Sequence, residues 1–409
     1  MVKKLTEIFR RPTSLVFADQ LIFSGTNFLL TFLLARKLNI SDFGLFSSVL
    51  LVTYLLVGIC NAIVVQPFQI LAAKEFTKKS LGFVFQASIV LIMIFSALLL
   101  MAKFLPVSAM AFFKDNLLAI IAFAAAYVFQ DFLRKVLLTI DRIQLVLFID
   151  SIFLLVFPLI WFENSLDLGK SLLIIAIVNA IASLPGVWYC VKNAEFSLKN
   201  ASLFHYHVTE GKWLLSASIV QWFSSNFFTL VAGIYLGVNA LGALRLVQSF
   251  FGVINVILQT VENYYLPKTA QLHYQDKKEE KKSLLFSMSK GMMALGILII
   301  GFFIFSEPLI TLLGGEQYKQ YGFVIKLVSV LYVVILYSYP TRLSIRVLEQ
   351  NKAFFTGYCI SFVFSLLSFH FLLKYGALYG AVAGLVINQI LMIVYWKILL
   401  NRKQISVWA

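Results

Sequence analysis

Hydrophobic positions along this chain come in runs of about twenty residues, each closed by a short polar stretch. Runs of that length match a bilayer-spanning helix at 1.5 Å per residue. Twelve are predicted, over 15–36, 43–66, 81–104, 115–138, 143–162, 171–191, 213–236, 243–266, 284–306, 322–341, 354–373 and 377–399. The breaks, such as AKEFTKKS (73–80), WFENSLDLGK (161–170) and QDKKEEKKS (275–283), carry charge, Pro or Gly and read as water-facing turns. No stretch between the runs is long enough for a separate soluble domain. The pattern predicts an all-α polytopic membrane protein.

Composition supports this, with 60% apolar and 13% charged residues. Charge then sets the topology. Of the 34 Lys and Arg, 25 fall at the termini and in every second loop and 9 in the alternate loops. This asymmetry predicts cytoplasmic N- and C-termini. The formal charge of +15 is thereby explained by topology and by attraction to anionic inner-leaflet lipids, which leaves no reason to invoke nucleic acid. The first residues, MVKKLTEIFRRPTSLVFADQ, carry Asp19 and Gln20 and lack a small-residue cleavage site, so they read as a retained amphipathic lead-in. Cys60, Cys190 and Cys359 fall inside runs, where packing is expected rather than disulfides or metal. The scattered histidines form no metal set, and Gly169-Lys170-Ser171 lacks the upstream glycine of a phosphate loop.

The second half of the chain resembles the first. FSGTNFLL (23–30) aligns with FSSNFFTL (223–230), Gly44 with Gly242 and Pro67 with Pro267. Six helices per copy predict two pseudo-symmetric six-helix lobes, 1–200 and 201–409, related by an axis along the membrane normal. Pro67 and Pro267 are hinge candidates, because proline frees a backbone carbonyl and permits bending.

Polar residues within the runs mark where the helices avoid lipid. Gln248, Asn255, Gln259 and Glu262 lie at offsets of 0, 7, 11 and 14 and share one helical face. Shorter stripes occur at Asp19, Phe23, Thr26 and Asn27, and at Ser218, Gln221 and Ser225. Such stripes line a cleft or glue helices together.

Four segments carry a family resemblance: LARKLNISDFGLFSSVLLV (34–52), QDFLRKVLLTIDRIQLVLFIDS (130–151), PLITLLGGEQY (308–318) and KYGALYGAVAGLV (374–386). They resemble polysaccharide-biosynthesis exporters, the Wzx-type O-antigen flippases of the multidrug/oligolipidyl/polysaccharide exporter superfamily, which includes the MATE-like proteins. The resemblance implies a transporter of the bacterial cytoplasmic (inner) membrane. Its cargo would be a polyprenyl-diphosphate-linked oligosaccharide, moved by alternating access from the inner to the outer leaflet for surface polysaccharide. Its partners would be the lipid bilayer, that cargo, and the polymerase and chain-length proteins of the same pathway.

A diphosphate cargo calls for cations in the cleft. Lys290, Lys326, Arg245 and Arg134 are the cationic candidates, beside Asn27, Gln221, Gln248, Asn255 and Gln259. Lys290 and Lys326 either meet phosphate or snorkel from nearby helix ends. Arg134 either captures phosphate or pairs with Asp131 one turn away, and Asp150 has Arg142 two turns earlier as a candidate partner. Asp19, Asp131, Asp150 and Glu262 are candidates for coupling to H⁺ or Na⁺, with no other cofactor expected. Two alternatives stay open: an ion-coupled multidrug or small-molecule exporter, and a membrane polysaccharide polymerase or glycosyltransferase. The last would need a catalytic loop, and no loop exceeds about twenty residues or holds a carboxylate or metal-ligand cluster. The chain is therefore expected not to be an enzyme.

Overall fold

In hydrocarbon a segment must satisfy every backbone N–H and C=O internally, which favours the helix for each apolar run. The computed structural model describes residues 12–101, 115–197 and 200–402, and all regular structure among them is helical. The lead-in expected at the extreme N-terminus lies mostly outside the described residues.

The helices are α1 (Pro12–Lys37), α2 (Ile40–Cys60), α3 (Gln66–Lys74), α4 (Lys78–Met101), α5 (Leu117–Thr139), α6 (Ile143–Phe153), α7 (Val156–Phe162) and α8 (Leu168–Asn193). There follow α9 (Ala201–Leu236), α10 (Val238–Tyr274), α11 (Lys278–Ile304), α12 (Ser306–Gly314), α13 (Gly322–Val347) and α14 (Asn351–Arg402). Eleven segments among the described residues are long and apolar enough to cross a membrane. The last of them, α14, has 52 residues, more than twice the length a bilayer needs. It is two arms meeting at Ala377, whose φ of 46° and ψ of −128° are non-helical. Those arms correspond to the two final runs, so the twelve expected runs and the eleven observed segments describe the same chain.

Several helices outrun their apolar cores. α9 begins at Ala201 rather than 213 and α10 continues to Tyr274 rather than 266. Polar residues there keep helical geometry because helix length is not limited to the hydrocarbon. Gly237, at φ 89°, turns α9 into α10 within a single residue. The run over 143–162 is interrupted at Leu154 and Leu155, where Pro158 has no N–H to return to Leu154. There Leu154, Leu155 and Phe157 donate instead to carbonyls three residues back.

By proximity the chain forms two compact units. One holds residues up to Leu38 together with Leu45–Ile219; the other holds Asn39–Gly44 together with Val220 onward. In the first, Cys60, Val64, Phe68, Leu81, Val84, Phe132, Leu133 and Cys190 form a dry cluster joining α2 to α5 and α8. In the second, Trp396 donates from Nε1 to the Ala353 carbonyl at 3.0 Å and stacks on Phe354.

Pro67 explains a local irregularity. Between α2 and α3 the backbone widens into a π-helical segment, Asn61–Val65. Proline at 67 offers no N–H to the Ile63 carbonyl four residues back. That carbonyl accepts instead from His207 Nδ1 of α9 at 3.0 Å, which fixes the proton on Nδ1. A Cβ at Gly211, one turn further along α9, would stand 3.3 Å from Ile63 Cα, so the two backbones approach closely.

The aligned glycines Gly44 and Gly242 also meet. A Cβ at Gly242 would lie 3.1 Å from Gly44 Cα, and one at Gly44 would run into the Val238 carbonyl. Gly44→Ala is expected to cost about 1–3 kcal/mol through overpacking, read as a lowered unfolding midpoint of the purified protein. His207→Ala strands a buried carbonyl and should cost about 1–3 kcal/mol. In the Pro67→Ala background, where a backbone donor is restored, part of that loss should return; strictly additive losses in a double-mutant cycle would refute the exchange of donors.

Candidate functional site

The unit containing Val220 onward holds a cavity of about 660 Å³ walled mainly by α9, α10, α13 and α14. Its polar lining follows from one helical face. Arg245, Gln248, Asn255, Gln259 and Glu262 of α10 all line it, a stripe of seventeen residues, or about 25 Å at 1.5 Å per residue. Gln221 of α9 lines it as well. Within the stripe Arg245 donates to Gln248 Oε1 at 3.3 Å, and Gln248 donates to Thr229 Oγ1 at 2.8 Å. Asn255 donates to the Tyr332 hydroxyl at 2.8 Å.

One end of the cavity is charged. Glu262 pairs with Arg346, and the Tyr339 hydroxyl lies 2.9 Å from the same carboxylate. Arg342, one turn before Arg346 on α13, keeps its Nε buried without a hydrogen-bond partner. Its guanidinium carbon is 5.9 Å from the centroid of the Phe354 ring. The charged residues lining the cavity are thus three arginines and one carboxylate, a formal excess of two positive charges. Such a site can hold an anionic group through guanidinium forks and a polyhydroxylated group through amides.

The arginines of α13 are the residues that sequence reasoning passed over. The helix was expected to stop at 341, which left Arg342 and Arg346 among the basic residues of a cytoplasmic loop. It continues to Val347 through Pro340, carrying both onto the cavity wall. Their spacing of four was the available signal.

The other candidates lie elsewhere. Lys290 is exposed over the Phe286 ring at 4.8 Å, and Lys326 is exposed over the Phe303 ring at 6.0 Å; neither lines the cavity. Asn27 belongs to the first unit, where its amide donates to the Phe23 carbonyl of its own helix at 2.9 Å. Tyr127 donates to its Oδ1 at 3.4 Å.

Arg134 is the centre of a separate buried cluster in the first unit. Its guanidinium bridges Asp19 of α1 and Asp150 of α6, the latter at 3.0 Å, and lies 4.0 Å from the Phe23 ring. Gln130 donates to Asp150 at 3.2 Å. The pairs expected from spacing are replaced. Asp131 takes Lys135 at 2.7 Å instead of Arg134, because Arg134 faces α1 and α6. Asp150 takes Arg134 instead of Arg142, whose Nε donates to the Tyr189 hydroxyl at 2.9 Å. Two carboxylates share one guanidinium here, and Asp19 Oδ1 has no hydrogen-bond partner.

Comparison with solved structures gives the fold. A lipid II flippase, MurJ, in an inward closed conformation superposes with a TM-score of 0.72 at 13% identity, covering 97% of this chain and 88% of that one. An inward-facing multidrug resistance MATE family transporter of the MOP superfamily gives 0.64 at 13% identity, over 96% of each chain. A mutant of the Vibrio cholerae MATE transporter VcmN gives 0.61 at 14% identity, over 97% of this chain and 98% of that one. The chain therefore has the MATE-like fold of the MOP exporters, as its sequence resemblance implied. No curated sequence relative matches it. A family model described as polysaccharide biosynthesis protein matches residues 33–323, well over half of the sequence, and the chain belongs to that family.

Proposed function

We propose that this protein is a flippase for a polyprenyl-diphosphate-linked oligosaccharide, moving it from the cytoplasmic to the outer leaflet of a bacterial inner membrane by alternating access. The carrying observation is the cavity of the second unit, a cationic and amide-lined recess within membrane-spanning helices. Family membership supplies the polysaccharide context. In this reading Arg342 and Arg346 take the diphosphate, with Arg245 at the far end of the α10 stripe. Gln221, Gln248, Asn255 and Gln259 take sugar hydroxyls, and the apolar chain stays in lipid. Glu262 is the counter-ion of Arg346 while the cavity is empty. An organic-cation exporter of the same fold fits less well, because a formal excess of positive charge repels its cargo. Surface polysaccharide such as O-antigen is the expected destination, with polymerase and chain-length proteins downstream. The cargo is displaced, with no bond broken, so no catalytic group is assigned.

Ion coupling is assigned to the cluster around Arg134. Protonation or Na⁺ binding at Asp19 or Asp150 changes how two carboxylates share one guanidinium, and a changed ion pair can bias a helix packing. Pro67 and Pro267 are the proposed hinges.

Arg342→Ala and Arg346→Ala are expected each to lower surface polysaccharide about tenfold or more at normal protein levels, the loss of a charge-assisted hydrogen bond or two. Lys326→Ala serves as the control and should leave it unchanged. Undiminished polysaccharide in both arginine variants would sink the assignment of cargo to this cavity, whereas deletion of the gene should pile up lipid-linked oligosaccharide on the cytoplasmic side. For coupling, Asp150→Asn should remove the dependence of transport in vesicles on an imposed proton or sodium gradient. Retention of that dependence would move the coupling site elsewhere.

A further inference from the structure

A second recess lies in the same unit, between α11, α13 and α14, with a volume of about 360 Å³. Met292, Met293 and Gly296 form one wall, Val333, Leu336 and Pro340 another, and Lys397 stands on the third. It opens on a surface of hydrocarbon character. Phe286, Met293, Ile297, Ile300 and Ile304 of α11 are exposed and fall on one helical face. Val330, Val333 and Tyr337 do the same on α13, as do Ile390, Val394 and Ile398 on α14. In membrane-spanning segments such stripes face lipid.

Two ammonium groups interrupt this surface. Lys397 donates to the Tyr337 hydroxyl at 2.8 Å and sits 4.3 Å from the centroid of the Tyr337 ring. Lys290 is exposed on the stripe of α11 about one turn before Met293, over the ring of Phe286. Among the described residues no carboxylate lies within ion-pair distance of either. The recess falls in the first half of α11 and the second half of α13, with Lys397 five residues before the end of α14, so it lies toward one end of all three helices. An apolar recess in the depth of the acyl chains, flanked by unpaired cations near one interface, complements an anionic amphiphile. Methionines suit a flexible chain, since the thioether adapts to irregular shapes. Space for that chain is present at Gly296, where an added Cβ would meet nothing within 4 Å.

We infer that this recess binds an anionic phospholipid of the bilayer, its phosphodiester between Lys290 and Lys397 and one acyl chain against Met292, Gly296 and Pro340. The site is distinct from the cargo cavity and stands whether or not the transport reading holds. Lys290 thereby meets a lipid phosphate of the membrane itself.

The test is native mass spectrometry of the full-length protein in mild detergent. Phosphatidylglycerol, phosphatidylethanolamine and a prenyl monophosphate are supplied at equal concentration. Phosphatidylglycerol should be retained over phosphatidylethanolamine, and Lys290→Gln and Lys397→Gln should each reduce its retention about fivefold. Gly296→Leu, which fills the recess, should reduce it with both lysines intact. Equal retention of the two phospholipids by the unaltered protein would overturn the inference without relying on any variant. Retention unchanged in both lysine variants would overturn it too, as would prenyl phosphate displacing phosphatidylglycerol, which would make the occupant a prenyl lipid.

Discussion

Hydrocarbon offers no hydrogen-bond partner, and each polar atom in these spans has been placed in answer to that constraint. Most answers are local. Thr26, Thr31, Thr53, Asn179, Ser183 and Ser329 donate to the carbonyl four residues back in their own helices, so they perturb nothing beyond one turn. A smaller set has its partners on other helices. In the second unit Asn388 of α14 reaches the Ser224 carbonyl at 3.3 Å and Ser365 Oγ at 2.8 Å, while Ser224 and Ser361 share a hydrogen bond at 2.8 Å. These tertiary bonds, together with the Arg134 cluster and the α10 stripe, set which helices must stay together.

The two charged sites solve the same problem differently. Around Arg134 nearly everything is buried and carboxylates exceed guanidiniums, so removal of one partner would leave a charge in a dry place, typically a loss of about 3–5 kcal/mol. The cavity of the second unit is roomy and its cations outnumber its carboxylate. One arrangement is closed on itself, and the other is open to a guest. That contrast underlies the separate assignment of coupling and cargo.

Periodicity made the helices and the α10 stripe legible, because both depend on spacing within one segment. Spacing could not reveal partners between segments. Arg134 has Asp131 one turn away yet bonds Asp19 and Asp150, 115 and 16 positions distant, since the face it presents is set by packing against α1 and α6. Lys290 looked like a cleft cation because depth along a helix is readable while direction around it depends on neighbours; it points outward. Arg342 and Arg346 were hidden by an opposite error, in which a general rule of topology accounted for them before their position four residues apart was weighed. The last two runs merged into α14 through a kink that a hydrophobic pattern does not register.

The bond from His207 to Ile63 spans 144 positions, and it has a consequence for the order in which the protein is made. A ribosome delivers Pro67 long before His207, so α2 and α3 enter the bilayer with a carbonyl whose partner is not yet synthesised. Asp19 waits in the same way for Arg134. The first unit cannot be completed until the opening turns of α9 emerge, and α9 itself carries on into the second unit. Biogenesis of the two halves is therefore interlocked: a chain interrupted before residue 207 would leave its first helices unfinished and exposed to membrane quality control.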